Sequence, residues 1–170
     1  MSAPATIRRL QTSAKLLNHV LLASKQDPKD QLQYFDSLAI AAQRAADSLL
    51  CSSILAGHGS ESDEFSDVAV WLGPGSFGKG HEQSVLNSLG LQSDSISPVA
   101  LATPSNIPTT VRVQNSTPEL DAFTHKLSEL KELHCFSTPS SGSDVIFSLI
   151  GKAANGGWGG LVGIGVWSDE

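Results

Sequence analysis

The residues best suited to chemistry lie in a glycine-rich segment that runs from Gly73 to Gly80 with the sequence GPGSFGKG. This segment lies between a predicted strand and a predicted helix. Glycines allow positive φ and let backbone N–H groups converge, and the start of a following helix adds positive partial charge. Such a loop can hold a phosphate group. The candidate ligand-binding residues are Gly73, Gly75, Ser76, Gly78, Lys79 and His81.

Known phosphate-binding motifs are only partly present in this loop. It contains GxGxxG from Gly73, but a dinucleotide-binding fold also needs an acid about 20 residues further on. No acid follows the predicted strand at 98–102 until Glu119. The loop nearly contains GxxxxGK[ST], but Gly80 stands where a hydroxyl would ligate magnesium. The sequence therefore predicts no dinucleotide cofactor and no magnesium-dependent hydrolysis, while anion binding and a plain connection stay open.

A third interpretation makes Ser76 a nucleophile on a strand-to-helix elbow. Such an elbow has the pattern GxSxG, and here Pro74 replaces the first glycine. The partners of Ser76 would be Asp121 or Asp144 and His125 or His134. Because any chain of this length contains serines, histidines and aspartates, the pattern is weak, and we predict no catalytic residue.

The histidines and cysteines form no recognisable site. The five histidines lack metal-ligand spacing, and neither of the two cysteines belongs to a CxxC pair, so no metal and no cofactor is predicted. Cys51 and Cys135 have apolar neighbours and are predicted to be inert buried thiols. On a strand, His134 and Cys135 would point to opposite faces and could not act as a dyad.

Two glycine-rich features late in the sequence are candidates for protein contacts. Trp158 is flanked by two glycine pairs, and tryptophan is enriched at interface hot spots. The predicted strand at 161–167 has two glycines on one face, and bare backbone admits a packed helix, a ligand or a partner's backbone. Packing within the core is the alternative for both features. The candidate interaction residues are Trp158, Gly163, Gly165 and Trp167.

The composition is compatible with surfaces that a partner covers. Of the 170 residues 40% are apolar and only 16% are charged, against about 25% charged in average globular chains. Interface cores are depleted in Lys, Glu and Asp, although neutral polar residues could instead cover the surface. The net charge of -6 disfavours nucleic-acid binding. No apolar run is long enough to span a membrane.

The hydrophobic pattern predicts a single α/β or α+β domain over residues 1–170. An antiparallel pair of N-terminal helices is expected at 6–24 and 27–57, the latter with a strand at 49–55 as the alternative for its last turns. A mixed sheet of four to five strands follows, with candidate strands at 67–72, 98–102, 110–114, 135–136 and 161–167. Flanking helices are expected at 81–91, 117–134 and 144–154. Thr117 and Pro118 indicate the start of the second of these.

The first 26 residues contain arginines and no acid, which is typical of a mitochondrial presequence. Their broad apolar surface favours a structural helix instead, so we expect a soluble cytoplasmic protein, with the mitochondrion as the alternative. The predicted function is that of a non-enzymatic small subunit or adaptor of a larger assembly, bound to a protein partner or to a second copy of itself. The alternative is a small enzyme or sensor that binds a phosphate-bearing ligand at Gly73–His81.

Overall fold

The computed structural model of the chain describes residues 6, 10, 14–24, 30–59, 65–91, 95–103, 105–111, 113, 115–140, 143–154 and 156–166. Over these residues, seven strands form one mixed sheet. The strands are β1 (Lys15–Leu17), β2 (Val20–Leu22), β3 (Val68–Gly73), β4 (Ser97–Val99), β5 (Lys131–Pro139), β6 (Asp144–Lys152) and β7 (Trp158–Val166). Their order across the sheet is β1-β2-β3-β7-β6-β5-β4, and only β2 and β3 pair in parallel. The longer helices of the described ranges are α1 (Asp30–Ser48), α2 (Glu82–Ser88) and α3 (Pro118–Leu127), and Gly57–Gly59 forms a short 3-10 helix.

Helices cover both faces of the sheet, so that two apolar clusters form. On β3, Trp71 packs in the cluster with α1 and α3, whereas Val70 packs in the cluster with α2. This division follows from the alternation of side chains along a strand. Small residues in α1 leave room for close approach to the sheet, and several of them are fully buried: Ala42, Ala45 and Ala46. The mixed sheet with helices on both faces confirms the predicted mixed α/β class.

Three predicted elements appear close to their expected places. The strand expected at 67–72 is β3, and the helix expected at 81–91 is the shorter α2. The strand expected at 161–167 is the end of the longer β7, and its residues alternate between the two clusters as predicted. Among the helices in the described part of the chain, none combines the length and the hydropathy that a bilayer-spanning helix needs.

The predicted N-terminal helix pair is present only in part, because Thr6 and Leu10 are helical and α1 lies within the second predicted helix. In place of a helix through residue 24, the chain forms the antiparallel hairpin of β1 and β2. Asn18 adopts a φ of 56° in the turn, and the backbone N–H of His19 donates to Asp36 Oδ1 on α1 at 3.1 Å. Leu17 and Leu21, which a helix would place on the same apolar face, differ in burial, because Leu17 is exposed whereas Leu21 is fully buried. A dense run of leucines fits a strand beside the core as well as it fits a helix, and pairing with β3 decides between them.

The second predicted helix ends about one-third earlier than expected. α1 stops at Ser48, and Leu50 follows in the left-handed region with a φ of 61°. The Cys51 N–H donates to the Ala46 carbonyl at 2.9 Å and the Leu50 N–H to the Asp47 carbonyl at 3.1 Å. These two bonds satisfy the last carbonyls of the helix as in a Schellman motif. The expected stop at Gly57 is therefore wrong, as is the alternative strand at 49–55.

The predicted helix at 144–154 is wrong as well, because these residues form β6. β6 lies between β5 and β7 and is covered on both faces, so its apolar residues form a nearly continuous run. Such a run carries no helical period of its own. The helix expected at 117–134 ends at Leu127, and its last residues instead begin β5. These changes and the hairpin raise the strand number above the predicted four to five.

The region around 98–111 differs from the expectation of two strands. Only Ser97–Val99 forms a strand there, at the outer edge of β5. Leu101 makes an isolated bridge to Pro108, and Val111 lies in a bend in this described stretch. Residues 112 and 114 of the predicted third strand lie outside the described residues.

Candidate functional site

The glycine-rich loop borders an open groove at one end of the sheet. The sheet register places Lys131 beside Lys152, Lys152 beside Trp158, and Trp158 beside Gly73. Ends of β3, β5, β6 and β7 therefore meet at this point, and the loop after β3 folds over them. The groove has a volume of about 600 Å³. Its lining residues are Gly75, Ser76, Gly78, Lys79, His81, Glu132, Leu133, Lys152, Gly156 and Trp158.

Five of the six predicted ligand-binding residues line this groove. Gly73 does not line it, but ends β3 with a φ of 78° and sits against Ser24, where a side chain would collide. The groove also contains Trp158, which the sequence suggested only as a contact for proteins. Trp158 is buried and packs beneath the loop, because a Cβ on Gly78 would lie 3.2 Å from its ring. Two separate sequence features thus belong to one site.

Sequence reasoning missed three side chains of the groove, namely Glu132, Leu133 and Lys152. Both segments that carry them were predicted to be helical, and a helix would not place residue 152 beside residue 131. No local pattern could have found them, because they meet through the pairing of β5 with β6.

The charges of the groove come from separate elements. Lys79 and His81 lie on the loop, Lys152 ends β6, and Glu132 is the second residue of β5. Of the described lining residues, Glu132 is the one acid against two lysines. The groove is therefore more positive than the chain as a whole, whose net charge is -6.

The start of α2 is occupied by a carboxylate of the chain itself. The Gly80 N–H donates to Glu82 Oε2 at 3.1 Å, and the His81 N–H donates to the Gly78 carbonyl at 2.9 Å. Partial burial acts to raise the pKa of Glu82, but backbone hydrogen bonds and the nearby His134 and His81 outweigh burial and lower this pKa. A bound anion would compete with Glu82 at the Gly80 amide and with the Gly78 carbonyl at the His81 amide, so the lysines are the better source of positive charge for an anion.

His134 holds the loop against β5. Its Nε2 lies 2.8 Å from the Phe77 carbonyl oxygen, and because a carbonyl only accepts, Nε2 carries the proton. Its Nδ1 faces Glu82 Oε2 at 3.8 Å, and its ring stacks on Phe136 at 5.8 Å between centroids. His134 is thus a positioning residue for the loop.

The residues of the suggested triad do not converge on Ser76. His134 directs its Nε2 proton to the backbone of Phe77. Asp121 and His125 lie on α3, on the other face of the sheet from α2. Asp144 lies at the end of β6 that pairs with Val166, away from the groove.

The two cysteines of the chain are not activated as nucleophiles. Burial raises the pKa of Cys51 and of Cys135 to about 12, so both thiols stay protonated at neutral pH. Cys135 packs in the apolar cluster with α1 and α3. Within the described residues, no three His, Cys, Asp or Glu side chains form a group that could hold a metal ion.

The glycines of β7 face the protein interior. Gly163 and Gly165 are buried, and a Cβ on Gly163 would overlap Asp67 Oδ1. Asp67 is itself buried, accepting hydrogen bonds from Ser53 Oγ at 2.5 Å and from the Ile54 N–H at 2.7 Å. Burial raises the pKa of Asp67 to about 7 against the effect of these bonds. Trp167, the fourth predicted interaction residue, lies outside the described residues.

No protein family model matches the chain, and a comparison with curated proteins finds no match either.

Proposed function

We propose that this protein is a non-enzymatic subunit or adaptor of a larger protein assembly, and that a partner pairs with the edge strand β1. The observation that carries this proposal is the apolar exposure of β1, where Leu16 is 42% and Leu17 is 43% exposed. Successive side chains of a strand point to opposite faces. The two leucines therefore present apolar surface on both sides of one edge, and an extended segment of a partner could cover both.

The two edges of the sheet differ in a way that favours β1 as the site of contact. β4 forms the other edge and contains Pro98, which has no N–H to offer a further strand. Proline on an edge is a common protection against unwanted pairing. β1 contains no proline, and among the described strands only β2 pairs with it.

Changing Leu16 and Leu17 together to Lys tests this contact. We expect a stoichiometric partner to co-purify with the tagged wild-type protein from its own cells. The yield of that partner should fall about tenfold or more with the double variant, because interface anchors carry most of the binding energy. The melting temperature should change little, since exposed substitutions alter the free energy of unfolding by about 0.5 kcal/mol.

Val113→Lys is the matched control, because Val113 is 42% exposed but lies outside the strands. It should leave the partner yield unchanged. A wild-type protein that runs as a monomer in light scattering and retains no stoichiometric partner would contradict the subunit function. An unchanged yield with the double variant would contradict the contact at β1.

A second candidate function is that of a small enzyme or sensor that binds a phosphate-bearing ligand at Gly73–His81. The groove favours the binding part of this function, because it joins the loop to Lys152 and Trp158. The described residues supply no assembled nucleophile and base there, so a sensor is the better supported form.

A further inference from the structure

The groove at the sheet end is shaped by an irregularity in β5. The pairing of β5 with β6 shifts register between Lys131 and His134, and Glu132 adopts a φ of 54°. In a regular strand, Glu132 and Leu133 would face opposite sides. The bulge brings both to the groove. Bulges that redirect side chains are over-represented beside functional sites, and a left-handed non-glycine residue costs free energy that the fold must offset.

Basic groups reach the groove from two separate elements. Lys79 and His81 come from the loop, while Lys152 comes from the end of β6. Lys131 pairs directly with Lys152 at the same sheet end. Such a concentration of lysine in an acidic chain raises the local concentration of anions. It does not depend on the start of α2, where Glu82 already accepts the Gly80 N–H.

The rest of the groove is lined partly by glycines and partly by apolar side chains. Gly75, Gly78 and Gly156 contribute no side chains, so a ligand can approach the backbone closely. Leu133 and Trp158 add apolar surface beside the charged groups. The volume of about 600 Å³ lies within the range of pockets for small molecules, roughly 300–1,000 Å³.

We propose that this groove binds a phosphate monoester of a small organic molecule. The phosphate lies between Lys79 and Lys152, and the organic part lies against Leu133 and Trp158. Glu132 opposes the negative charge of the phosphate and limits affinity. This proposal rests on the second candidate function, whose ligand class it names, and it is independent of the proposed partner contact, because no residue of β1 lines the groove.

Calorimetric titration with chosen probes tests the site. Glucose 6-phosphate and adenosine 5′-monophosphate are compared with inorganic phosphate and with unphosphorylated glucose and adenosine. We expect at least one monoester to bind, more tightly than inorganic phosphate does, with affinity falling as salt is raised. The unphosphorylated compounds should not bind. Failure of both monoesters at concentrations up to about 10 mM, or equal binding of inorganic phosphate, would overturn the proposal.

Charge variants test which residues hold the phosphate. Lys79→Gln and Lys152→Gln should each raise the dissociation constant about tenfold, as loss of a charge-assisted hydrogen bond does. Glu132→Gln should lower it, since it removes an opposing charge. Lys15→Gln on β1 is the matched control and should leave it unchanged. Circular dichroism should show that each variant folds. Equal affinity of both lysine variants and the wild type, or weaker binding by Glu132→Gln, would refute the assignment.

Discussion

At the scale of the residue, Leu50 combines an unfavourable backbone with an exposed apolar side chain. Its φ is 61°, and its side chain is 91% exposed. The C′ position of a Schellman motif favours glycine, because a Cβ is strained in the left-handed region. The side chain gains little burial in return. The left-handed backbone of Leu50 therefore lowers the free energy of unfolding of the isolated chain, because burial of its side chain does not offset the strain.

Leu50→Gly should raise the free energy of unfolding by about 1 kcal/mol, since it relieves this strain while losing almost no packing. Urea denaturation at constant pH measures the change. Leu50→Ala removes the same apolar surface but keeps a Cβ, so its stability should stay within about 0.5 kcal/mol of the wild type. Equal gains in the two variants would show that exposure of the leucine, rather than backbone strain, limits stability.

At the scale of the element, β7 can pack closely against its surroundings because its glycines have no side chains. Gly159 faces Phe35 of α1, and Gly163 faces the buried Asp67. The glycine-rich face that the sequence left open to a helix, a ligand or a partner is filled at these positions by the chain itself. The prediction that Gly163 and Gly165 contact a partner stays a prediction, although both are buried in the described fold.

Gly163→Ala should lower the free energy of unfolding by about 1–3 kcal/mol, because its Cβ overlaps Asp67 Oδ1 in a packed core. Gly78→Ala is the control: its Cβ would lie 3.2 Å from the Trp158 ring, so a small shift of the exposed loop can accommodate it. Thermal unfolding of both variants gives the comparison. A loss in Gly78→Ala as large as that in Gly163→Ala would contradict the assigned packing.

At the scale of the whole molecule, Asp67 makes stability depend on pH. Asp67 directly precedes β3, and its carboxylate accepts hydrogen bonds from Ser53 and Ile54 in the turn after α1. Its pKa is raised from 3.8 to about 7 in the folded state. Between these values the folded protein holds a proton that the unfolded chain has lost. The contribution of Asp67 to stability is therefore fully present below the lower value and declines as pH rises through the window.

The free energy of unfolding should thus fall from pH 4.5 to pH 7 by a few kcal/mol through this group alone, roughly 1.4 kcal/mol per unit of pKa shift. Asp67→Asn cannot titrate, so the difference in stability between wild type and Asp67→Asn should shrink or reverse over that window. Urea midpoints measured at steps across the window give this difference. A difference that is constant with pH would mean that Asp67 titrates near its ordinary value.

Local signals in the sequence predicted the elements whose ends depend on a capping residue, a proline or glycines. Thr117 Oγ1 accepts the Leu120 N–H at 3.0 Å and Pro118 takes the first turn of α3, as predicted. β3 was recognised from its short apolar run, and the loop from its glycines. Five residues of the groove were named from that loop. These features depend on residues that are close together in the sequence, so they can be recognised without knowledge of the fold.

Only the tertiary structure decided what the dense apolar runs became. The runs at 15–22 and 144–152 lie in a sheet, where pairing with β3 and β7 selects the strand over the helix. The same pairing joined Lys152 and Glu132 to the loop. A run that is covered on both faces carries no period to distinguish the two conformations, and contacts between distant residues, which the order of the sequence does not contain, settle the choice.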